Sequence, residues 1–227
     1  MDGPLTLAHE SDEGGEVALR RRGEILELVV DGVFAMDSLD PSTERDLATQ
    51  ALARHDRPRT VLVGGLGLGF TTRAVLADPR VEHVDVVELS APLVRWARAG
   101  LVAELAGLEE ERCRLHVADV ADVLTGGHEP PGPWDLVLLD VDNGPGFLVH
   151  AENADLYRVP GLARARDALE PGGVLVVWSS HVAPDLHAHL QDVAAPGETV
   201  AEVPIRVRRD GRSFTYALYV LHRGAAA

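Results

Sequence analysis

The sequence predicts an α/β fold: a mostly parallel seven-stranded sheet with helices on both faces, a C-terminal antiparallel hairpin and a short N-terminal β-extension. Three observations carry this. From Thr60 onward, near-continuous Val/Leu runs (TVLVGG, HVDVVEL, CRLHVAD, WDLVLLD, VLVVWSS) alternate with helical patterns, as in a buried parallel sheet. Two long runs, VAEVPIRVRR and SFTYALYVLHR, flank Asp210-Gly211, a hairpin turn signal. Upstream, two apolar stretches flank Arg20–Gly23 and are followed by Asp31-Gly32.

Taken in order, residues 1–15 are polar and Gly-rich and read as a flexible N-terminus. Residues 16–57 form a β-meander and a helix. Asp40-Pro41 supplies its cap, and Leu47, Ala48, Ala51 and Leu52 recur at helical spacing. The α/β domain then runs over 58–227. Thr71–Ala77 is its first helix. Ser90 caps a second, which opens at Ala91-Pro92 and sets Leu93, Ala97 and Leu101 on one face. Residues 125–133 form a loop. Leu156–Leu169 is helical and stops at Glu170-Pro171-Gly172-Gly173. Pro184–Val193 is the last helix.

Composition narrows the chemistry. The chain has 227 residues and no Lys, so all 21 basic side chains are Arg. A Schiff-base aldolase, a pyridoxal-phosphate enzyme and a Walker-type ATPase each need a Lys amine and are excluded. The formal charge of −15 argues against a nucleic-acid partner. The single Cys113 cannot form an internal disulfide, which fits a reducing compartment. The acidic N-terminus does not read as a signal peptide, and no apolar run is long enough to span a membrane. The expectation is a soluble, cytoplasmic protein with no membrane partner.

The strongest local signal is Val61-Leu-Val-Gly-Gly-Leu-Gly-Leu-Gly-Phe70. Gly65, Gly67 and Gly69 follow a strand and open a helix, where glycines let the backbone turn tightly and approach a ligand. A dinucleotide fingerprint needs a third Gly where Phe70 stands, which disfavours an NAD-dependent dehydrogenase. The G-x-G-x-G spacing is the one usual in S-adenosylmethionine-binding proteins. Glu88 ends the second strand, 19 residues after Gly69, placed to accept hydrogen bonds from two ribose hydroxyls. Asp119 ends the third strand and Asp140 the fourth. With the neighbouring Leu89 and Val120 they share the carboxyl edge of the sheet, where ligands of open α/β sheets bind.

On these residues the sequence resembles the spermidine/spermine synthase-like branch of the Rossmann-like class I methyltransferase fold. The family consensus VLIIGGGDGGTLREVL aligns without gaps to Val61–Leu76. Its acids after the second and third strands match Glu88 and Asp119. Its Tyr-Asp-(apolar)-Asp-x-x-Asp-Pro motif resembles Trp134-Asp135 through Asp140-Val-Asp142-Asn143-Gly-Pro145, and its upstream Leu-Asp-Gly-Val strand resembles Val30–Val33. Asp155-Leu156-Tyr157 through Gly173 also resembles the family. The resemblance implies S-adenosylmethionine, its decarboxylated form or methylthioadenosine as ligand, no metal, a small-molecule acceptor and a homodimer. It implies Asp140 as general base, Asp119 near the adenine, and Asp142, Asn143 and Tyr157 near the acceptor.

The departures fall where the family holds its amines. Its Gln after Asp-Gly-Val-x is Ala35, its Tyr-His-Glu triplet falls on Ala48-Thr49-Gln50, and the Asp of its glycine turn falls on Leu68. An Asp at 68 would attract an amine tail and repel a carboxylate, so Leu68 favours ordinary S-adenosylmethionine. The sequence therefore predicts methyl transfer to a small nucleophile, with aminopropyl transfer second and a non-catalytic nucleoside-binding member third. Other groups are assigned away from chemistry. His181, His187 and His189 read as surface residues, Cys113 as core, and Trp96 as a packing residue near enough to Glu88 to touch an adenine.

Overall fold

The computed structural model describes residues 3–12, 14–148, 151–209 and 211–225. Two sheets make up the molecule. The first is an antiparallel meander of β1 (Leu5–Asp12), β2 (Gly15–Arg22), β3 (Ile25–Val30) and β4 (Val33–Asp37) in sequence order. Asp31-Gly32 closes the β3–β4 hairpin with both φ angles positive (49° and 74°), the conformation for which Asp-Gly is suited. The stretch read as flexible thus contains a whole strand. Alternating residues are too polar there to signal burial, and β1 is held instead by pairing with β2 and by its carboxylates.

Helix α1 (Ser42–Leu52) follows, with Asp40 Oδ1 accepting from the Ser42 N–H at 3.1 Å. Its Leu47, Ala48, Ala51 and Leu52 are buried, as their spacing predicts. The second sheet has the order β10-β11-β9-β8-β5-β6-β7. Its parallel part comprises β5 (Thr60–Gly64), β6 (His83–Glu88), β7 (Cys113–Val117), β8 (Trp134–Leu139) and β9 (Leu169–Ser179). The hairpin of β10 (Thr199–Arg209) and β11 (Arg212–His222) adds antiparallel to β9. Asp210 of the predicted turn lies outside the described residues. Helices α2 (Phe70–Leu76), α3 (Ala91–Arg98), α4 (Val120–Val123), α5 (Val159–Asp167) and α6 (Pro184–Val193) complete the fold. Two apolar clusters, one on each face of the sheet, form the core. Cys113 is fully buried in one of them, and burial raises its thiol pKa to about 12.

Three predicted boundaries move. Helix α3 ends at Arg98, leaving Leu101 exposed beyond it. The segment 156–169 is not one helix. A 3₁₀ turn over Ala151–Tyr157 gives way at Arg158, whose extended φ/ψ (−97°, 165°) precedes α5, with Pro160 in its first turn. Finally, Glu170–Gly173 stops the helix but belongs to β9. Trp134 pairs with Leu169 and Leu136 with Val174, so these residues form an irregular loop within the strand pairing.

Candidate active site

The carboxyl ends of β5, β6 and β8 meet α1 and the meander around one cleft. The glycine turn forms its floor. Gly65 (φ 95°) and Gly67 (φ 50°) both adopt the left-handed region. A Cβ on Gly65 would strike the Asp140 carbonyl, and one on Gly67 would lie 2.7 Å from Met36 Sδ. Met36, on β4, also accepts from the Leu68 N–H at 3.2 Å, so the meander is docked onto the turn. Gly69 (φ 78°) is the N-cap of α2, and its missing Cβ makes room for Leu108. It is therefore not part of the cleft wall.

Glu88, at the end of β6, lines the cleft. Its Oε2 accepts from the Leu66 N–H at 2.9 Å and its Oε1 from the Ser90 N–H at 2.8 Å, tying the glycine turn to the start of α3. Leu89 lies beside it on the wall. Asp119 stands two residues beyond β7, where it caps α4 by accepting from the Ala121 N–H at 2.8 Å. Asp119 and Val120 both face the cleft.

Asp140 follows β8 directly, and Thr71 of α2 donates to its Oδ2 at 2.6 Å. Its pKa is raised to about 7. Burial is the main cause and the charge of Glu44 adds to it, while the Thr71 hydrogen bond opposes both. Asp135, five residues earlier, is structural. It receives the Arg59 N–H, the Thr60 N–H and the Thr60 hydroxyl at the opposite end of the sheet. Asp142 (φ 54°) and Asn143 line the cleft beyond Asp140. Tyr157 does not. It is buried behind the wall and donates to the Val141 carbonyl at 2.6 Å. Burial, with the nearby charges of Asp142 and Asp140, holds its phenol protonated well above the usual range.

Several lining residues carry no local sequence signal: Gly14, Met36, Glu44, Asn153 and Trp178. They come from the meander, α1, the 3₁₀ turn and β9, and only the tertiary fold brings them to the cleft. Other expectations move. Leu68 is fully buried in the core. Gln50 is engaged by Arg54 at 2.5 Å, off the cleft. Trp96 reaches no ligand site, because it is buried and donates to Glu10 Oε1 at 2.7 Å. His181, His187 and His189 are half-buried rather than surface residues, and His181 packs edge-on to Phe147. His187 packs edge-on to Tyr219, and His189 Nδ1 meets the Tyr157 carbonyl at 2.9 Å.

The comparisons agree with this architecture. The spermine/spermidine synthase domain matches residues 41–204, well over half of the chain. The chain belongs to the spermine/spermidine synthase family. Among the relatives, the polyamine aminopropyltransferase of Mycobacterium tuberculosis is 31% identical over 172 residues, covering 75% of this chain and 32% of the relative. Polyamine aminopropyltransferase 2 of Pseudomonas aeruginosa is 32% identical over 156 residues, 66% of this chain and 42% of the relative. The matched region thus spans about a third to under a half of these relatives' own length. The crystal structure of a spermidine synthase in complex with the transition-state analogue AdoDATO has the same fold, with a TM-score of 0.78 at 18% identity. It covers 98% of this chain and 75% of that one. The Thermotoga maritima spermidine synthase gives 0.76 at 18% identity, covering 98% and 74%.

The acids of the cleft stand away from the two positions that the motif alignment singled out. Positions 68 and 50 offer none, whereas α1 places Glu44 on the wall one turn before the residues that the motif alignment singles out. Five carboxylates line the cleft (Glu44, Glu88, Asp119, Asp140 and Asp142), and among the described lining residues none is Arg or His.

Proposed function

We propose that this protein transfers an aminopropyl group from decarboxylated S-adenosylmethionine to an amine acceptor. The observation that carries the reading is the charge of the cleft, with five carboxylates and no cationic side chain among the described lining residues. Ordinary S-adenosylmethionine keeps a carboxylate, which such a wall repels; the decarboxylated donor and an amine acceptor are both purely cationic. The names of the relatives, polyamine aminopropyltransferases, support the same choice over methyl transfer.

The residues fit the donor. Gly65 and Gly67 shape the turn that lines the cleft, and Glu88 and Asp119 offer acceptors for ribose hydroxyls and an adenine amine. The donor supplies a carbon activated by an adjacent sulfonium. Asp140 takes the proton that an acceptor ammonium must lose before its lone pair can attack. With its pKa near 7, it can accept and release that proton at neutral pH. The cleft walls position the partners, which supplies most of the acceleration.

Methyl transfer is the second reading, but Leu68, which suggested it in the sequence, is buried in the core and off the cleft. Calorimetric titration with both forms of the donor separates the two. The proposal expects the decarboxylated form to bind at least about tenfold tighter, and methylthioadenosine to be released when an amine is added. Preference for the carboxylated donor would overturn it in favour of methyl transfer. Tight donor binding without product on any amine would favour the non-catalytic reading. Glu88→Ala should weaken the donor, and unchanged affinity would remove Glu88 from the ribose role.

A further inference from the structure

The cleft has two unlike walls. The meander brings Gly14, Val17, Leu28, Val30, Ala35 and Met36 to it, and none of these has a charged, hydroxyl or amide side chain. Strand pairing gathers the apolar ones on one face: Val17 stands opposite Val30, and Leu28 opposite Met36. Val17 and Leu28 are buried, whereas Val30, Ala35 and Met36 keep part of their surface open. The one weak acceptor in the set, Met36 Sδ, is occupied by the Leu68 N–H at 3.2 Å. This wall can therefore hold hydrocarbon and offers nothing to an ammonium.

All the carboxylates of the cleft belong to α1 and to the carboxyl edge of the second sheet. Glu88 and Asp119, at the β6 and β7 end, are assigned above to the nucleoside. Glu44, Asp140 and Asp142 remain. The decarboxylated donor brings two cations, its ammonium and its sulfonium, and one acceptor amine brings a third. Three positive centres thus meet three carboxylates. A diamine would bring a fourth, and only the meander wall would be left for it. An ammonium taken out of water against such a wall has no compensating acceptor, whereas an alkyl chain there gains by leaving water.

We infer that the Val30–Ala35–Met36 wall selects the acceptor, and that the acceptor is a primary monoamine with an apolar tail rather than a diamine. The tail lies on the meander, and the amine faces the acidic wall. This rests on the transfer reading above and adds the class of acceptor. In the reaction, Asp140 takes one ammonium proton, and the freed lone pair forms the new C–N bond. The C–S bond breaks as that bond forms, with sulfur keeping its electron pair, and the alkylated amine passes its extra proton to solvent. The product keeps the donor's primary ammonium at one end and the acceptor's hydrocarbon at the other. Val30, Ala35 and Met36 set specificity and touch none of the reacting atoms.

The test compares 1-aminobutane with 1,4-diaminobutane, and then the series from 1-aminopropane to 1-aminopentane. Binding is measured by calorimetry on the full chain loaded with methylthioadenosine, and turnover is measured with decarboxylated S-adenosylmethionine. The monoamine should bind roughly tenfold or more tightly than the diamine. Each added methylene should tighten binding by roughly threefold. Ala35→Glu, which puts an acceptor on the apolar wall, should reverse the preference toward the diamine. The chain-length series needs no variant, so it decides the matter even if Ala35→Glu does not fold. Tighter binding of the diamine by the parent protein, affinity that ignores chain length, or a ratio unmoved by Ala35→Glu overturns the inference. The transfer reading fails separately, if the decarboxylated donor does not bind or no bound amine is alkylated.

Discussion

The hydroxyl of Thr71 donates to Asp140 Oδ2 at 2.6 Å, across from the charge of Glu44, so two neighbours push one carboxylate in opposite directions. A hydrogen bond to the ionised form stabilises it, and a like charge does the reverse. A base works only when deprotonated, so kcat/KM should rise with pH through about 7. Thr71→Val should move that limb to higher pH. Glu44→Gln should move it to lower pH. Asp140→Asn should lower kcat/KM by about 100-fold or more while leaving donor affinity nearly intact. A pH–rate series on the three variants checks the signs, and parallel shifts in Thr71→Val and Glu44→Gln would remove Asp140 as the titrating group.

Gly67 shows how the meander and the turn depend on each other. A Cβ there would meet Met36 Sδ at 2.7 Å in a left-handed backbone. Gly67→Ala should cost roughly 1–2 kcal/mol from the backbone alone, with more from the clash. Met36→Ala in that background should recover the second part only. Urea unfolding of the single and double variants measures both parts, and full recovery would show that the φ of 50° carries no cost.

How far the sequence reached can be judged from such pairs. The parallel strands were legible because continuous Val/Leu runs are what burial on both faces requires, and α6 falls where its predicted ends stand. Gly65, Glu88 and Asp140 were legible because strand ends gather at one edge of any parallel sheet. Met36, Glu44 and Trp178 were not, since each reaches the cleft from an element whose packing angle no local pattern encodes. Tyr157 was misplaced for a related reason. The helix expected to carry it breaks at Arg158, and the ring turns inward to Val141. β1 was missed because its face is covered by polar contacts that leave no apolar period.

Glu198 is the main acid-sensitive joint outside the cleft. Arg166 grips both its oxygens at 2.7 and 2.8 Å, and the Ala195 and Gly224 N–H groups donate to it at 2.9 and 3.2 Å. Burial alone would raise its pKa, but these bonds outweigh it and lower the value to about 2. A depressed carboxylate stabilises the fold above its unfolded pKa of about 4.5, and that contribution fades as pH falls toward 2. Glu198→Gln should therefore destabilise at pH 7 by roughly 3 kcal/mol, as when one partner of a buried pair is removed. The variant and the parent should converge near pH 2. Thermal melts across this range test it, and a constant gap would assign the loss to packing instead.

The last prediction concerns β1. Glu10 binds Trp96 Nε1 at 2.7 Å and Arg95 at 2.6 Å, and Asp12 accepts from the Ala91 N–H at 3.0 Å and the Gly14 N–H at 2.9 Å. These bonds fasten the β1–β2 hairpin to α3, and Gly14 and Val17 of that hairpin line the cleft beside Leu89 and Ser90. Ion pairs this exposed contribute little to global stability, so their effect is local. Glu10→Ala should leave the melting temperature nearly unchanged but speed amide exchange in β1 and β2. Donor dissociation should become roughly two- to tenfold faster, because weakened contacts act mainly on the off-rate. Glu10→Gln, which still offers an oxygen to Trp96, should restore most of the difference. Exchange that stays slow in Glu10→Ala would show that strand pairing alone holds the hairpin over the cleft.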